Sequence, residues 1–203
     1  MIIKPDNEML SYSGRIDFDD RLAPVLVYAC SSIGMKFTGT SLKAVIANHR
    51  SCWTNELGYF IDGEQKRFTL SPDEEKKTYT LAEGLSEGTH ELLLFKRMDS
   101  CHTFTFYGFE IDDGAKVLPL PEKPKRKMEF FGDSVSCGEV SEAVEYVGKP
   151  DPEHDGEYSN SWYSYAWIAA RKLDAQLHDI AQGGVALLDN TGWYHEPDYI
   201  GME

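Results

Sequence analysis

The sequence predicts two units of different class: an all-β, jelly-roll-like sandwich over residues 1–119 and the first part of a parallel-sheet α/β domain over 128–203. Three observations predict it. Short apolar runs alternate with turn signals as far as Val117, at the spacing of a β-sandwich. Pro119, Pro121 and Pro124 then fall close together among lysines; prolines remove backbone donors and stiffen the path, so 120–127 reads as a Pro/Lys-rich linker. Beyond it the pattern changes to strand, loop, helix, strand.

In the first unit, Gly58-Tyr59-Phe60-Ile61 runs into Asp62-Gly63, a hairpin signal, and the chain returns through Lys66-Arg67-Phe68-Thr69-Leu70. The stretch 90–95, His-Glu-Leu-Leu-Leu-Phe, reads as a strand buried on both faces. Thr103-Phe104-Thr105-Phe106 alternates with period two, which puts both phenylalanines on one face.

In the second unit, 128–138 reads Met-Glu-Phe-Phe-Gly-Asp-Ser-Val-Ser-Cys-Gly. A short apolar strand runs into a glycine, an acid and a serine, and reactive groups collect at strand ends in open α/β sheets. Ser134 is therefore the candidate nucleophile. A Gly-x-Ser-x-Gly elbow does not fit, because Ser136 stands where the second glycine belongs. Cys137, three residues on, reads as a buried thiol.

The loop over 141–158 is acidic but lacks the Asp-x-Asp-x-Asp-Gly spacing of a calcium loop, so it reads as solvated and no metal is expected. Asn160 or Ser161 is expected to cap a helix with Trp162, Tyr165 or Ala166, Ala169 and Leu173 on its packed stripe. The next strand, 176–181, ends at Gln182-Gly183-Gly184. A strand–helix–strand crossover makes its two strands parallel, so their C-terminal ends share one rim. Ser134 and the glycine pair are thereby expected to converge.

Composition bounds the partners. The chain of 203 residues is 41% hydrophobic and 27% charged, ordinary for a globular protein, with a formal net charge of −14. That charge repels phosphate backbones and anionic lipid, and the one basic patch, Lys123, Lys125, Arg126 and Lys127, falls in the linker. No nucleic-acid or membrane partner is expected. No apolar run reaches the length of a membrane span and the opening residues lack a signal layout, so the expected location is cytoplasmic, with secretion the alternative. Cys30, Cys52, Cys101 and Cys137 form no Cys-x-x-Cys pair and read as buried thiols, with one disulfide allowed if the protein is exported.

Gly132-Asp133-Ser134 after a strand resembles the first block of the SGNH (GDSL-type) hydrolases, whose α/β domain is flavodoxin-like. Taken with the preceding sandwich, the Pro-rich connector, the helix Asn160-Ser161-Trp162-Tyr163-Ser164-Tyr165-Ala166 and the turn Ile180-Ala181-Gln182-Gly183-Gly184, the chain resembles carbohydrate esterase family two along nearly its whole length. That resemblance implies an acetyl esterase deacetylating xylan, glucomannan and related sugars through a serine nucleophile, with no cofactor. Ser134 then matches the nucleophile and one oxyanion-hole amide, Gly184 matches a second amide, and Asp133 and Gly183 are supporting residues, Asp133 bracing the loop. Each oxyanion donor is worth roughly 10²–10³ in rate.

Two departures from the family pattern stand out. Gly183 occupies the position where relatives carry serine. The Gly-x-Asn-Asp block and the late histidine base are not in the sequence, so the chain reads as truncated within the SGNH domain, with a parallel edge that an oligomer or a complementing chain would cover. Among the histidines, His178 reads as a strand residue, His154 as part of the acidic loop, and His195 as a loop residue near the rim. A rival reading is a carbohydrate-binding module, with Trp53, Tyr59 and Tyr107 as stacking platforms, followed by an inactive SGNH remnant. A GDSL-type lipase would need an apolar acyl groove that the sequence does not identify.

Overall fold

The computed structural model describes residues 1–153, 155–192 and 199–201. Strands β1 (Ile2–Ile3), β2 (Ser11–Ser13), β3 (Ile16–Asp17), β4 (Val25–Leu26), β5 (Ser32–Thr38), β6 (Leu42–His49) and β7 (Glu56–Ile61) are followed by β8 (Glu64–Thr69), β9 (Lys77–Ala82), β10 (Thr89–Lys96), β11 (Thr103–Ile111) and β12 (Val117–Leu118). They pair antiparallel in two six-stranded sheets, one ordered β3-β4-β11-β6-β9 with β1 on β11, the other β12-β5-β10-β7-β8 with β2 on β5. This is the expected sandwich.

Its core lies between the sheets, where Leu26, Ile33, Met35, Phe37, Ile46, Leu94, Phe104 and Phe106 are fully buried. Burying each such side chain contributes about 1.5–3 kcal/mol. The β7–β8 hairpin turns at Asp62 and Gly63 with φ of 52° and 85°, the pair of positive values that a two-residue I′ turn requires. Strand β10 corrects one expectation. It alternates at first, with His90 and Leu92 buried and Glu91 exposed, and only Leu94, Phe95 and Lys96 are buried in succession. The second unit covers the outer face of the sheet at that end alone.

That unit opens with β13 (Arg126–Gly132), so the last two residues of the expected linker 120–127 belong to a strand. The rest of the linker is tied to the sandwich, with Lys123 Nζ donating to the carbonyl of Tyr12. After β13 come the short helix α1 (Ser134–Cys137), a loop with a 3₁₀ turn at Val144–Tyr146, a second 3₁₀ turn at Ser161–Tyr163, helix α2 (Tyr165–Lys172) and strand β14 (Ala175–Ala181). β13 and β14 pair parallel, from Arg126 opposite Ala175 to Gly132 opposite Ala181. The expected parallel pair is present.

The start of α2 differs from the sequence reading. Asn160 caps the 3₁₀ turn, accepting the N–H of Trp162 at 3.1 Å, while Ser164 caps α2 by accepting the N–H groups of Ala166 and Trp167. The packed residues are accordingly Ala166, Trp167 and Ala170, and Leu173 is exposed. Two hydroxyl or amide caps four residues apart compete for one role, and the later one wins because only its register turns Trp167 inward.

A second apolar cluster joins the units: Ala29, Cys30 and Phe95 from the sandwich meet Cys137, Ala166, Trp167, Ala170, Leu177 and Ala181. Polar groups are buried in the same seam. Ser161 donates its N–H to the carbonyl of Arg97 and its hydroxyl to that of Lys96. Arg97, 2% exposed, reaches Glu142 Oε2 at 2.7 Å. Lys96 donates to the carbonyls of Met98 and Asp99.

Candidate active site

The β13–β14 register places Gly132 beside Ala181, so the segments that follow both strands leave the sheet at the same rim. Asp133 caps α1, its side chain accepting the N–H of Val135 at 3.0 Å, and Ser134 is the first residue of the helix. Space behind this turn is tight. A Cβ at position 132 would strike Ser136, whose hydroxyl is hydrogen-bonded to Tyr165 Oη at 2.7 Å. Glycine at 132 thus lets the strand pass over a packed hydroxyl, and Gly138, left-handed with φ of 76°, ends the helix.

Ser134, Asp133, Gly183 and Gly184 line one cleft of about 650 Å³, within the range of small-ligand sites. All four residues singled out from the sequence are therefore brought together. The two glycines are not equivalent. Gly183 donates its N–H to Asp99 Oδ2 at 2.8 Å, whereas the N–H groups of Gly184 and Ser134 donate to no described residue. Gly184 has φ of 76°, a left-handed conformation that favours glycine.

The sandwich supplies part of the wall. Trp53 and Cys52, in the loop between β6 and β7, and Asp99 and Cys101, between β10 and β11, line the same cleft, together with Glu139 and Asp151. Of the three aromatics considered as platforms, Trp53 alone lines it. Tyr59 is a core residue whose hydroxyl donates to the carbonyl of Leu81, and Tyr107 lies under the Lys76 ammonium. Asp99 and Glu139 carried no local sequence signal, because both reach the cleft through contacts between distant loops.

The cleft is acidic, which suits a neutral ester better than an anionic one. Burial and the neighbouring Asp99 push Glu139 up to about 7. Cys137 is 1% exposed and burial pushes its thiol well up, so it stays a neutral packing residue. Cys30 is also buried, Cys52 is exposed and Cys101 is half-buried, and all four are free thiols. Among the described residues, no group of three or more His, Cys, Asp or Glu side chains is placed to hold a metal ion. No described helix is long and apolar enough to cross a membrane.

Every described histidine is engaged away from Ser134. His49 contacts Thr105 Oγ1 at 2.9 Å, His90 pairs with Asp62, His102 accepts the N–H of Ser51, and His178 on β14 faces Glu129 on β13. Burial pushes His102 down to about 4, so it is neutral at ordinary pH. His154 and His195 lie outside the described residues.

Comparison with known proteins agrees with this architecture. The cellulase/esterase CelE of Acetivibrio thermocellus is 34% identical over 188 residues, covering 92% of this chain and 22% of that protein. An acetylxylan esterase/glucomannan deacetylase of Cellvibrio japonicus is 27% identical over 165 residues, covering 78% of this chain and 44% of that one. The solved structure of a family two carbohydrate esterase from Clostridium thermocellum in complex with cellohexaose superposes with a TM-score of 0.83 at 30% identity, over 95% of this chain and 56% of the other. The chain thus spans between about a fifth and just over half of these proteins. Residues 12–121, most of the sandwich and the first two residues of the linker, match the carbohydrate esterase 2 N-terminal family, and with the second unit following in the same order the chain belongs to carbohydrate esterase family 2.

Proposed function

We propose that this chain carries the nucleophile and two oxyanion donors of an acetyl esterase that removes O-acetyl groups from plant polysaccharides such as xylan or glucomannan. The observation that carries the reading is that Ser134 and Gly184 share one cleft while the N–H of Gly183 is already committed to Asp99. Ser134 Oγ attacks the acetyl carbonyl carbon and loses its proton to a general base. The oxyanion is held by the N–H groups of Ser134 and Gly184, and collapse releases the sugar hydroxyl, which takes the proton back. Water then attacks the acyl-enzyme and frees acetate.

The base is a histidine outside the described residues. A complementing segment is its proposed source, since every described histidine is engaged elsewhere. Trp53 offers the sugar ring an apolar face from the sandwich side of the cleft. Among the described residues β13 has a strand on one side only, and a second copy or a complementing chain would pair with its other edge.

Hydrolysis of a chromogenic acetate ester with and without added imidazole tests this reading. Imidazole supplies a missing base, so it should raise turnover in the native chain and leave S134A at the rate of imidazole in buffer. If S134A responds to imidazole as the native chain does, Ser134 is not the nucleophile.

A further inference from the structure

The turn carrying Gly183 and Gly184 is gripped from the sandwich as well as from its own sheet, where the N–H of Gln182 donates to the carbonyl of Gly132 at 3.2 Å. Asp99, 2% exposed, accepts the N–H of Gly183 at Oδ2 (2.8 Å) and that of Cys101 at Oδ1 (3.1 Å). Beside it, Ser100 Oγ donates to Gln182 Oε1 at 2.8 Å. Glu139, just past the left-handed Gly138, brings its carboxyl group up to the same glycine. A Cβ at position 183 would run into Glu139 Oε1 and lie 3.0 Å from Asp99 Oδ2. The two carboxyl groups therefore close on one point, and glycine leaves them room where a serine would displace Glu139.

Two carboxyl groups in contact can hydrogen-bond to each other only if one of them keeps a proton. Both oxygens of Asp99 already accept backbone N–H groups, so the donor of the pair is Glu139. We infer that Glu139 and Asp99 form a proton-sharing acid pair that positions the Gly183–Gly184 turn, fixing the N–H of Gly183 and leaving that of Gly184 to the oxyanion. Glu139 is a positioning residue; it acts through Asp99 and the turn. Its role in the reaction rests on the esterase reading, whereas the pair itself does not.

Protonation sets the working range. Burial and Asp99 raise Glu139 to about 7, so below that pH the proton stays in the pair, and above it two like charges face each other beside the turn. Among the described residues the other titratable groups around the pair are Lys96, which donates to the Asp99 carbonyl, and the Cys101 and Cys137 thiols. Asp133 at the α1 cap, Asp151 on the cleft wall, His102 beside Asp99 and Asp179 on β14 complete the set, and burial raises Asp179 to about 7 as well. Burial pushes Cys101 up to about 12 and Cys137 well up, so neither thiol ionises where Glu139 does. A deprotonated Glu139 would also repel the oxyanion.

The test is an NMR titration of the whole ¹⁵N-labelled chain between pH 5.5 and 8.5, following the amides of Gly183 and Gly184. The pair requires both amides to move with a shared midpoint near 7. Glu139→Gln, which still donates to Asp99, should hold both at their low-pH positions throughout, and Asp99→Asn, which removes the like charge but leaves Glu139 buried, should lower the midpoint. Amides that stay fixed in the native chain, or that keep the same midpoint in E139Q, would overturn the pair. A variant is scored only if its remaining amide spectrum matches the native one, and Asp179→Asn separates the two acids: the midpoint near 7 should persist in it, and its loss there would overturn the pair. Intact titration without Ser134-dependent hydrolysis counts against the esterase reading only. Hydrolysis with a flat titration counts against the pair only.

Discussion

The sandwich interior and the seam beneath the cleft are built on opposite principles. Between the sheets, Phe104, Phe106, Ile33 and Leu94 are fully buried among apolar neighbours and place no chemistry. In the seam, Lys96, Arg97, Asp99 and Asp179 are all 2% exposed or less, and most of their polar atoms have a named partner. Apolar burial tolerates small displacements. A buried charge does not, because an unmatched one costs several kcal/mol. The difference shows where geometry is held tightly: at the Gly183–Gly184 turn, not in the larger core.

Several substitutions would break or sharpen that contrast. The largest effect is expected at Ser134, where S134A should lower acetate release by 10³-fold or more in the presence of a base, with no change in melting temperature. F104A in the sandwich and R97A in the seam should each cost about 3–5 kcal/mol in urea unfolding, the first by opening a cavity and the second by emptying a fully buried position and taking the cation from Glu142 and Glu56. The two losses separate on repair. R97M should recover part of the R97A loss by refilling the buried volume, while Glu142 keeps Asn160 Nδ2 at 2.7 Å. An R97M variant as unstable as R97A would mean that the ion pair, and not the filled volume, is the source of stability.

Next comes Asp179, which burial raises to about 7, with the Cys30 sulfur 3.3 Å from its Oδ2. The native state then holds this proton to a higher pH than the unfolded chain does, so stability falls as pH rises from about 4 to 7. D179N should remove about 2–3 kcal/mol of that fall, read as a smaller drop in melting temperature between pH 5 and pH 8. Glu139 contributes with the same sign, so some slope remains. The smallest effect is expected at Trp53: W53A should raise KM for acetylated oligosaccharide about 3–10-fold, the worth of one aromatic contact, with kcat little changed.

What could be read from the sequence was local. Gly132-Asp133-Ser134 and Gln182-Gly183-Gly184 announced themselves as strand ends, and strand–helix–strand connectivity alone brought them to one rim. Asp62-Gly63 specified its own hairpin. The start of α2 was misplaced because Asn160, Ser161 and Ser164 are all good caps, and which one begins the longer helix depends on Trp167 packing against Phe95, 72 positions earlier. Asp99 and Glu139 were invisible for a similar reason: an acid in a loop has no signature until a distant backbone N–H is placed against it. The burial of β10 on both faces was right only where Phe95 and Lys96 meet the second unit, a fact about neighbours and not about the strand.

Strand β10 also bears on how such a protein can be inherited. Leu94 belongs to the sandwich core and the next residue, Phe95, belongs to the other, packed against Trp167 and Trp162. Cutting the gene at the linker would leave a greasy aromatic face on the sandwich and strip the glycine turn of its carboxylate anchor. Recombination that shuffles ready-made modules has little use for a piece with such a raw surface, so the two units are expected to travel through evolution as a single cassette.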